Sequence, residues 1–376
     1  MTTGQYISTH RFTAHAADVF LSDYFVLYMS LAYVALLAPF LPVLLTPGNL
    51  VNVMSNIWPL LIVAIGQTFV LAIAGIDLSQ GSTIALTSVV GAMLIATSAN
   101  PANLDLAPIW GTILTEGGGP LAGVWGSVAL GILAMLGVAV LVGVLNGAAI
   151  AIFNMPAFMV TLVTLISISA FAIWMTQSEN VANLPPGYIA LGNGDIVSVY
   201  FGAKEESKIA RKVIYSLITY PMIIALGVAL TARIILGRTV FGRYVMAIGI
   251  NRKAAEISGV PVRRVIILVF VISAVCAAIA SILYSARLEA GRPSLGEGNF
   301  LLDVIGAAVI GGTSLFGGKA KIIRTFFGVL FFVVLSNTLN LMNLSGFQVD
   351  MVKGGVILAA ALLDVLRTKL MAERTQ

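Results

Sequence analysis

Two long stretches of the chain, residues 24–76 and 117–178, contain no Asp, Glu, Lys or Arg and are rich in apolar residues. An apolar run of about 20 residues is long enough to cross a bilayer as an α-helix, so each stretch holds at least two crossings. Runs of this kind are typical of membrane-spanning sequences and not of soluble domains. The pattern therefore predicts an all-α integral membrane protein.

Clusters of Pro, Gly, Asn and charged residues divide the chain into about ten predicted membrane spans. The predicted spans are residues 24–45, 57–74, 81–97, 124–153, 158–174, 213–236, 265–286, 301–318, 325–341 and 347–365. The first is expected to stop at Thr46-Pro47-Gly48-Asn49, and residues 98–121 are expected to form a loop. Residues 175–212 form a polar connection with room for a short surface helix. The eighth span contains five glycines, so it is predicted to be broken or short.

The composition agrees with this class. Hydrophobic residues make up 59% of the 376 residues, charged residues make up 10%, and the mean hydropathy is +1.00. Soluble domains carry about a quarter charged residues. We interpret residues 1–376 as a single transmembrane domain, so any energy-coupling or recognition domain must belong to another chain. Cys276 is the only cysteine, which excludes a disulfide framework and a cysteine metal site, and no cofactor is predicted.

The positive charges predict the orientation in the membrane. The net charge of +5 needs no nucleic-acid partner, because positive residues concentrate in the cytoplasmic loops of membrane proteins. The most basic segment has Glu256 as its single acid and contains Arg233, Arg238, Arg243, Arg252, Lys253, Arg263 and Arg264. With residues 237–262 as a cytoplasmic loop, ten crossings also place the tails 1–23 and 366–376 in the cytoplasm. Four basic residues contradict the rule: Lys204, Lys208, Arg211 and Lys212.

The polar residues within the predicted spans are mostly neutral. They are Gln67, Asn146, Thr161, Thr164, Ser167, Ser336, Asn337, Asn340 and Asn343. Two interpretations stay open for them: hydrogen bonds between helices, or the lining of a pathway for a neutral polar solute. Ser336 and Asn340 lie one helical turn apart on one face and are the strongest pathway candidates.

A short helix is predicted within the basic loop. Asn251 is a good N-cap, the segment Arg252-Lys253-Ala254-Ala255-Glu256 can form helical turns, and Gly259 is a good terminator. Arg252 and Lys253 at the helix start oppose its dipole, so an external anionic group is expected to stabilise them. An acidic lipid and an acidic partner protein both satisfy this requirement.

Four motifs, in order along the chain, resemble those of the ribose/xylose/galactose-type permeases of bacterial ATP-binding-cassette importers. They are Gly75-Ile76-Asp77-Leu78-Ser79; Pro156-Ala157-Phe158-Met159-Val160-Thr161-Leu162; Phe241-Gly242-Arg243 with Ala247-Ile248-Gly249-Ile250-Asn251 and Ala254-Ala255; and Val309-Ile310-Gly311-Gly312-Thr313-Ser314-Leu315 with Gly317-Gly318. The sequence departs from the family pattern at Gln80, Leu301 and Ala320, where the family usually has Val, Glu and Gly.

The resemblance implies an architecture and a set of partners. Spans 2–5 and 7–10 would form two inverted halves around a pathway in the bacterial inner membrane. Two permease subunits would lie side by side with an ATPase subunit and a periplasmic sugar-binding protein. The helix from Asn251 to Gly259 then resembles the coupling helix that docks on the ATPase, which favours a protein partner over lipid. The expected activity is import of a simple sugar or similar neutral polyol by alternating access.

Several alternatives stay open. Asp77, with Ser79 beside it, either has a structural role, capping the third span or bridging two chain segments, or takes part in gating. Gly311 and Gly312 either permit close helix packing or form a gate from a broken helix. Glu289, Arg292, Glu297 and Asp303 are either solvated loop charges or contacts for a solute receptor. A stand-alone carrier or channel is the alternative function. An intramembrane enzyme has little support, because the spans show no His-rich, cysteine or paired-carboxylate constellation.

Overall fold

The computed structural model describes residues 22, 24–101, 110–200 and 214–373, with side chains up to residue 362. Over these ranges the elements are α1 Phe25–Leu37, a 3-10 turn Pro42–Leu45, α2 Pro47–Ala72, α3 Gln80–Ile95, α4 Ser127–Ile152, α5 Ala157–Thr176, α6 Pro186–Asn193, β1 Asp195–Tyr200, β2 Ile214–Thr219, α7 Tyr220–Arg238, α8 Val240–Ile250, α9 Arg252–Ile257, α10 Val262–Arg287, α11 Phe300–Ile310, α12 Ile322–Leu341 and α13 Gly346–Glu373. Most of the predicted tails and the four exceptional basic residues lie outside the described ranges.

Six of the described helices are long and apolar enough to cross a membrane: α2, α4, α5, α7, α10 and α12. Four shorter apolar helices, α1, α3, α8 and α11, lie among them. The prediction of an all-α, multi-span membrane protein is confirmed. The number of ten crossings stays a prediction, because the shorter helices do not satisfy the length criterion on their own.

The first predicted span is interrupted earlier than expected. Helix α1 ends at Leu37, and Pro39 and Pro42 follow, each lacking the N–H that a continuing helix needs. Helix α2 begins at Pro47 and not at residue 57, because proline at the first helical position loses no hydrogen bond there. The segment Thr46-Pro47-Gly48-Asn49, expected to end the first span, therefore lies at the start of helix α2.

The sixth predicted span is wrong over its first residues. Residues Ile214–Thr219 form β2, which pairs antiparallel with β1, and the helix begins only at Tyr220. The segment contains two isoleucines, a threonine and a tyrosine, and β-branched and aromatic residues favour a strand. Thr219 then caps the helix, since its Oγ1 accepts a hydrogen bond from the Met222 N–H at 3.3 Å.

The short surface helix predicted in the 175–212 connection is present as α6. It packs on the C-terminal part of α10, where the hydroxyls of Tyr188 and Ser285 are 2.7 Å apart. Burial raises the pKa of Tyr188 well above its usual value. The phenol therefore stays neutral and serves as a buried anchor for α6.

Helices α2 and α10, which begin the two predicted halves, run antiparallel. The Arg287 guanidinium at the end of α10 donates to the Ser55 carbonyl near the start of α2 at 3.2 Å. Further along, the Gln80 amide of α3 bonds both Val63 of α2 and Ser273 of α10. Antiparallel first helices are what inverted halves require.

The later helices of each half pack on the first helix of the other. Helix α4 crosses α10 at two glycines, where a methyl group on Gly143 would lie 2.7 Å from the Val271 Cα. Helix α12 lies along α2, and the hydroxyls of Thr68 and Thr325 are 2.9 Å apart at their contact. Small residues and hydroxyls at such contacts are typical of helix packing in bilayers. These contacts join the two predicted halves to each other.

Candidate functional site

Two unwound connections enter the interior of the fold from opposite sides. Residues 73–79 join α2 to α3, and Ile76 in this connection packs against a cluster formed by Leu71 of α2 with Ala308 and Val309 of α11. Residues 288–299 join α10 to α11 and lie along α3, where the Ser88 hydroxyl donates to the Arg292 carbonyl at 2.9 Å. Each connection thus packs on the short helix of the other half.

The two connections lead to a crossing point inside the protein. A Cβ on Gly81, in the first turn of α3, would collide with the carbonyl oxygen of Gly296, and it would lie 3.6 Å from the Leu301 side chain. Leu301 is in the first turn of α11. The N-terminal ends of two short helices therefore approach each other at a break between spans. In secondary transporters, broken helices of this kind line the solute site.

Asp77 is fully buried beside this crossing and has hydrogen bonds at both carboxylate oxygens. Its Oδ1 accepts from the Ser79 backbone N–H at 2.9 Å and from the Ser79 hydroxyl at 2.6 Å. Its Oδ2 accepts from the Ser273 hydroxyl at 2.6 Å. The carboxylate therefore ties the unwound connection to α10, so the bridging role predicted for Asp77 describes its contacts in this conformation.

The predicted pathway residues of α4 and α5 extend the same network. The Asn146 amide donates to the Ser79 hydroxyl at 2.9 Å, and Thr164 donates to the Asn146 oxygen at 2.6 Å. Thr161 donates to the Ile76 carbonyl at 3.2 Å. All three side chains therefore bond between helices and connections, and a role in contacting solute stays a prediction.

The departure at Gln80 belongs to this network as well. Its amide nitrogen donates to the Ser273 hydroxyl at 2.9 Å and to the Val63 carbonyl at 3.2 Å. A valine there would make neither bond. Gln67 of α2 is also fully buried, and neither atom of its amide has a hydrogen-bond partner among the described residues.

The predicted polar residues of α12 have mixed environments. Asn337 exchanges two hydrogen bonds with Asn49 of α2, at 2.8 and 2.9 Å, and so bonds between helices. Ser336 is half-buried and Asn340 is exposed on the same helix. Their position on an open face is compatible with pathway lining, which stays a prediction.

The glycine-rich eighth span is broken, as expected. Helix α11 ends at Ile310, and a turn follows that contains Gly311, Gly312 and Gly317. Gly311 packs against the backbone of Arg324 and Thr325 in α12. The Gly318 N–H donates to the Ala72 carbonyl at the end of α2 at 2.9 Å. The glycines thus permit close backbone packing in this conformation, and a gating role stays a prediction.

The short helix predicted in the basic loop is α9. The Asn251 side chain accepts a hydrogen bond from the Ala254 N–H at 3.0 Å, and Gly259 has a φ of +82° that suits glycine at a helix end. Ala255 is buried, whereas Lys253, Ala254 and Glu256 are exposed. Ile257 is 88% exposed at the end of the helix. The helix presents a charged and apolar surface away from the bundle.

Arg252 connects this surface to the turn between α4 and α5. Its Nη2 donates to the Asn154 side-chain oxygen at 2.9 Å. Both residues line a groove of about 410 Å³ that also contains Gly75 and Gly249. The groove therefore joins α9, the α4–α5 turn and the first unwound connection.

An ion pair within the bundle was not predicted. The Lys353 ammonium of α13 donates to Asp303 Oδ2 of α11 at 2.8 Å. The interpretation of Asp303 as a loop residue is wrong, because residue 303 lies in the first turn of a helix. Its partner, Lys353, is 50 residues away in sequence. The only sign of this ion pair in the sequence was the presence of charged residues within the predicted span 347–365.

Comparison with known proteins supports one family. A family model described as the branched-chain amino acid transport system permease component matches residues 49–361. The ribose import permease protein RbsC of Bacillus subtilis (strain 168) is 32% identical over 325 residues, covering 86% of this chain and 86% of that protein. RbsC of Escherichia coli (strain K12) is 31% identical over 334 residues, covering 89% and 91% respectively.

The L-arabinose ABC transporter permease protein AraH of Azospirillum brasilense is 28% identical over 326 residues, covering 87% of this chain and 82% of that protein. No solved structure matches the chain significantly. The family model covers most of the chain, and the relatives align along nearly their whole length. The resemblance inferred from the four motifs is confirmed: this chain belongs to the transport-system permease-component family, whose members are membrane transport proteins and not enzymes.

Proposed function

We propose that this chain is the membrane-spanning permease subunit of an ATP-binding-cassette importer for a simple sugar or similar neutral polyol. The observation that carries the proposal is the identity of about 30% to ribose import permeases over nearly the whole chain. The family model is described by branched-chain amino acids, but the named relatives are sugar permeases. We give the relatives more weight, since they are individual transport proteins that align over 86–89% of this chain.

The activity requires an ATPase subunit and a periplasmic binding protein on other chains. We infer in addition a second permease subunit, identical or related. The exposure of polar side chains supports a second subunit. Asn340 is exposed, and the Asp303–Lys353 ion pair borders an open groove. A charged or amide group facing hydrocarbon is unfavourable, so a water-filled pathway or another subunit should cover this side.

In the proposed mechanism, α9 is the coupling helix. Its exposed surface docks on the ATPase, and closure of the ATPase pair moves the helix. The Arg252–Asn154 hydrogen bond carries this displacement to the α4–α5 turn. From there Thr161 contacts the connection that contains Asp77, so motion at the cytoplasmic surface reaches the crossing of the two short helices. The outcome is a change in the side to which the pathway opens.

Sugar uptake into proteoliposomes tests the function. The proteoliposomes contain this chain with its ATPase, and the sugar-bound binding protein is added on the outside. We expect sugar uptake that depends on ATP. Transport of the same sugar by this chain alone, without ATP, would support the stand-alone carrier or channel.

A second experiment tests the coupling role. Replacing Glu256 by Ala, or Ala254 and Ala255 by bulky residues, should abolish uptake while membrane insertion stays normal. The matched control is Glu179→Ala, a change at an exposed residue far from α9 in the chain. Full uptake by the α9 variants would contradict the proposal.

A further inference from the structure

A groove of about 490 Å³ lies between α11 and α13. Its lining combines charged, amide and apolar side chains, and it includes Asn299, Leu302, Asp303, Asp350, Met351 and Lys353. This volume falls within the range of about 300–1,000 Å³ that is typical of small-molecule sites. The groove begins next to the crossing of the short helices, since α11 starts four residues after Gly296 at Phe300.

The ion pair in the groove leaves hydrogen-bonding capacity unused. Lys353 bonds Asp303 Oδ2 at 2.8 Å, whereas Asp303 Oδ1 is buried and has no partner among the described residues. A carboxylate oxygen accepts hydrogen bonds, and leaving one unpaired in a buried position is costly. A hydroxyl donor from a bound molecule would satisfy it.

The surroundings of the groove argue against contact with lipid. Asp350 and Lys353 are partly exposed on α13, one helical turn apart. Charged side chains in membrane segments almost always face a protein interior or a water-filled cavity. The groove also has an apolar rim, in which Phe347 is 85% exposed and Met351 is 76% exposed. An apolar rim around a few polar groups is the usual composition of a ligand site.

The charges select a class of ligand. Two carboxylates and one ammonium give the groove an excess of negative charge, which opposes an anionic solute. Carboxylate oxygens accept from hydroxyls, and the Asn299 amide and the Lys353 ammonium donate to them. A neutral solute with several hydroxyl groups matches both requirements.

We propose that the groove between α11 and α13 is a binding site for the transported sugar on the solute pathway, and that it excludes anionic sugars. This inference rests on the proposed function and adds to it the residues that contact the solute. Helix α13 starts at the end of the bundle opposite to α9, because α12 runs antiparallel to α2 and α13 follows it. The site therefore lies on the side from which the binding protein delivers solute.

Cysteine labelling of the assembled complex tests the site. Met351→Cys places a thiol on the groove rim, and Leu358→Cys provides the control, since Leu358 is 64% exposed on the same helix but does not line the groove. The native Cys276 is buried. Millimolar D-ribose and L-arabinose are the neutral probes, and D-ribose 5-phosphate is the anionic probe.

We expect the neutral sugar that the complex imports to slow maleimide labelling of Met351→Cys about threefold at twice its dissociation constant, by mass action. Labelling of Leu358→Cys should not change, and D-ribose 5-phosphate should protect neither position. Asp350→Asn, which leaves the Asp303–Lys353 pair in place, should remove the protection. The same variant should lower the maximal uptake rate about tenfold while stimulation of ATP hydrolysis by the loaded binding protein stays within about twofold.

A merely structural role for Asp350 would lower both uptake and ATP hydrolysis, and it would overturn the proposal. The proposal is also overturned if a sugar that the wild-type complex imports leaves maleimide labelling of Met351→Cys unchanged. That result would leave the proposed function intact. A disulfide between Met351→Cys residues of two subunits that forms regardless of sugar would assign this face to a subunit contact and also overturn the site. Absence of ATP-dependent import by the wild-type complex would instead refute the proposed function.

Discussion

Gly81 and Gly296 touch where the unwound connection of one half meets the short helix of the other. A Cβ on Gly81 would collide with the Gly296 carbonyl, and Gly296 has a φ of +83°, a conformation that glycine adopts without strain. The contact sets how closely the starts of α3 and α11 approach each other. The separation of the two short helices therefore depends on the absence of a side chain at these positions.

Gly81→Ala is expected to destabilise the protein and to lower uptake, because the added methyl group must push two backbones apart. Overpacking of this kind costs about 1–3 kcal/mol. Thermal unfolding in detergent, followed by fluorescence, measures the effect. Gly137→Ala in α4 is the control, since nothing lies within 4 Å of a Cβ at that position. Equal melting temperatures for the two variants would show that the crossing tolerates a side chain.

Asp77→Ala is expected to cause the largest loss of stability in the buried network, since it removes all three hydrogen bonds to the carboxylate. A hydrogen bond contributes about 0.5–1.5 kcal/mol and a buried donor left unpaired costs about 1–3 kcal/mol, although such terms do not add fully. Ser273→Ala removes one of these three bonds, together with the bond from the Gln80 amide to Ser273, and should cost less. Denaturation in detergent compares both with Glu179→Gln, an exposed carboxylate. A smaller effect for Asp77→Ala than for Ser273→Ala would contradict the central place of Asp77.

Arg252→Ala and Asn154→Ala are expected to reduce coupling without preventing assembly. Each removes the same hydrogen bond between α9 and the α4–α5 turn, so the double variant should be no worse than either single variant. The measurement is the number of sugar molecules imported per ATP hydrolysed by the reconstituted complex. Arg264→Ala is the matched control, because Arg264 is exposed nearby at the start of α10. Additive losses in the double variant would indicate that the two residues act separately.

The sequence was sufficient for features that depend on neighbouring residues. The Asn251 cap and the Gly259 terminator of α9 follow from local preferences, and the structure has both. The interruption after Ile310 follows from the density of glycine. The sequence was also sufficient to predict a membrane protein, because long uncharged apolar runs fit few other classes of protein.

Contacts between distant segments were beyond prediction. Ser273 is an ordinary serine in an apolar span, and only the packing of α10 on α3 brings it to Asp77. Lys353 and Asp303 form a pair only because α13 lies along α11. The strand Ile214–Thr219 was mistaken for the start of a span, since a short apolar run suits either structure until its partner is known.

Labelling from each side of the membrane tests the orientation that the positive charges predict. Ile257→Cys places an exposed thiol after α9, and Trp125→Cys places one in the connection before α4, where Trp125 is 98% exposed. Helix α3 leads from the crossing point to that connection, whereas α9 lies beside the end of α2. We therefore expect the two thiols to lie on opposite sides. An impermeant maleimide should label Trp125→Cys in right-side-out vesicles and Ile257→Cys only in inverted ones. Labelling of Ile257→Cys from outside would place α9 out of reach of a cytoplasmic ATPase and refute its coupling role.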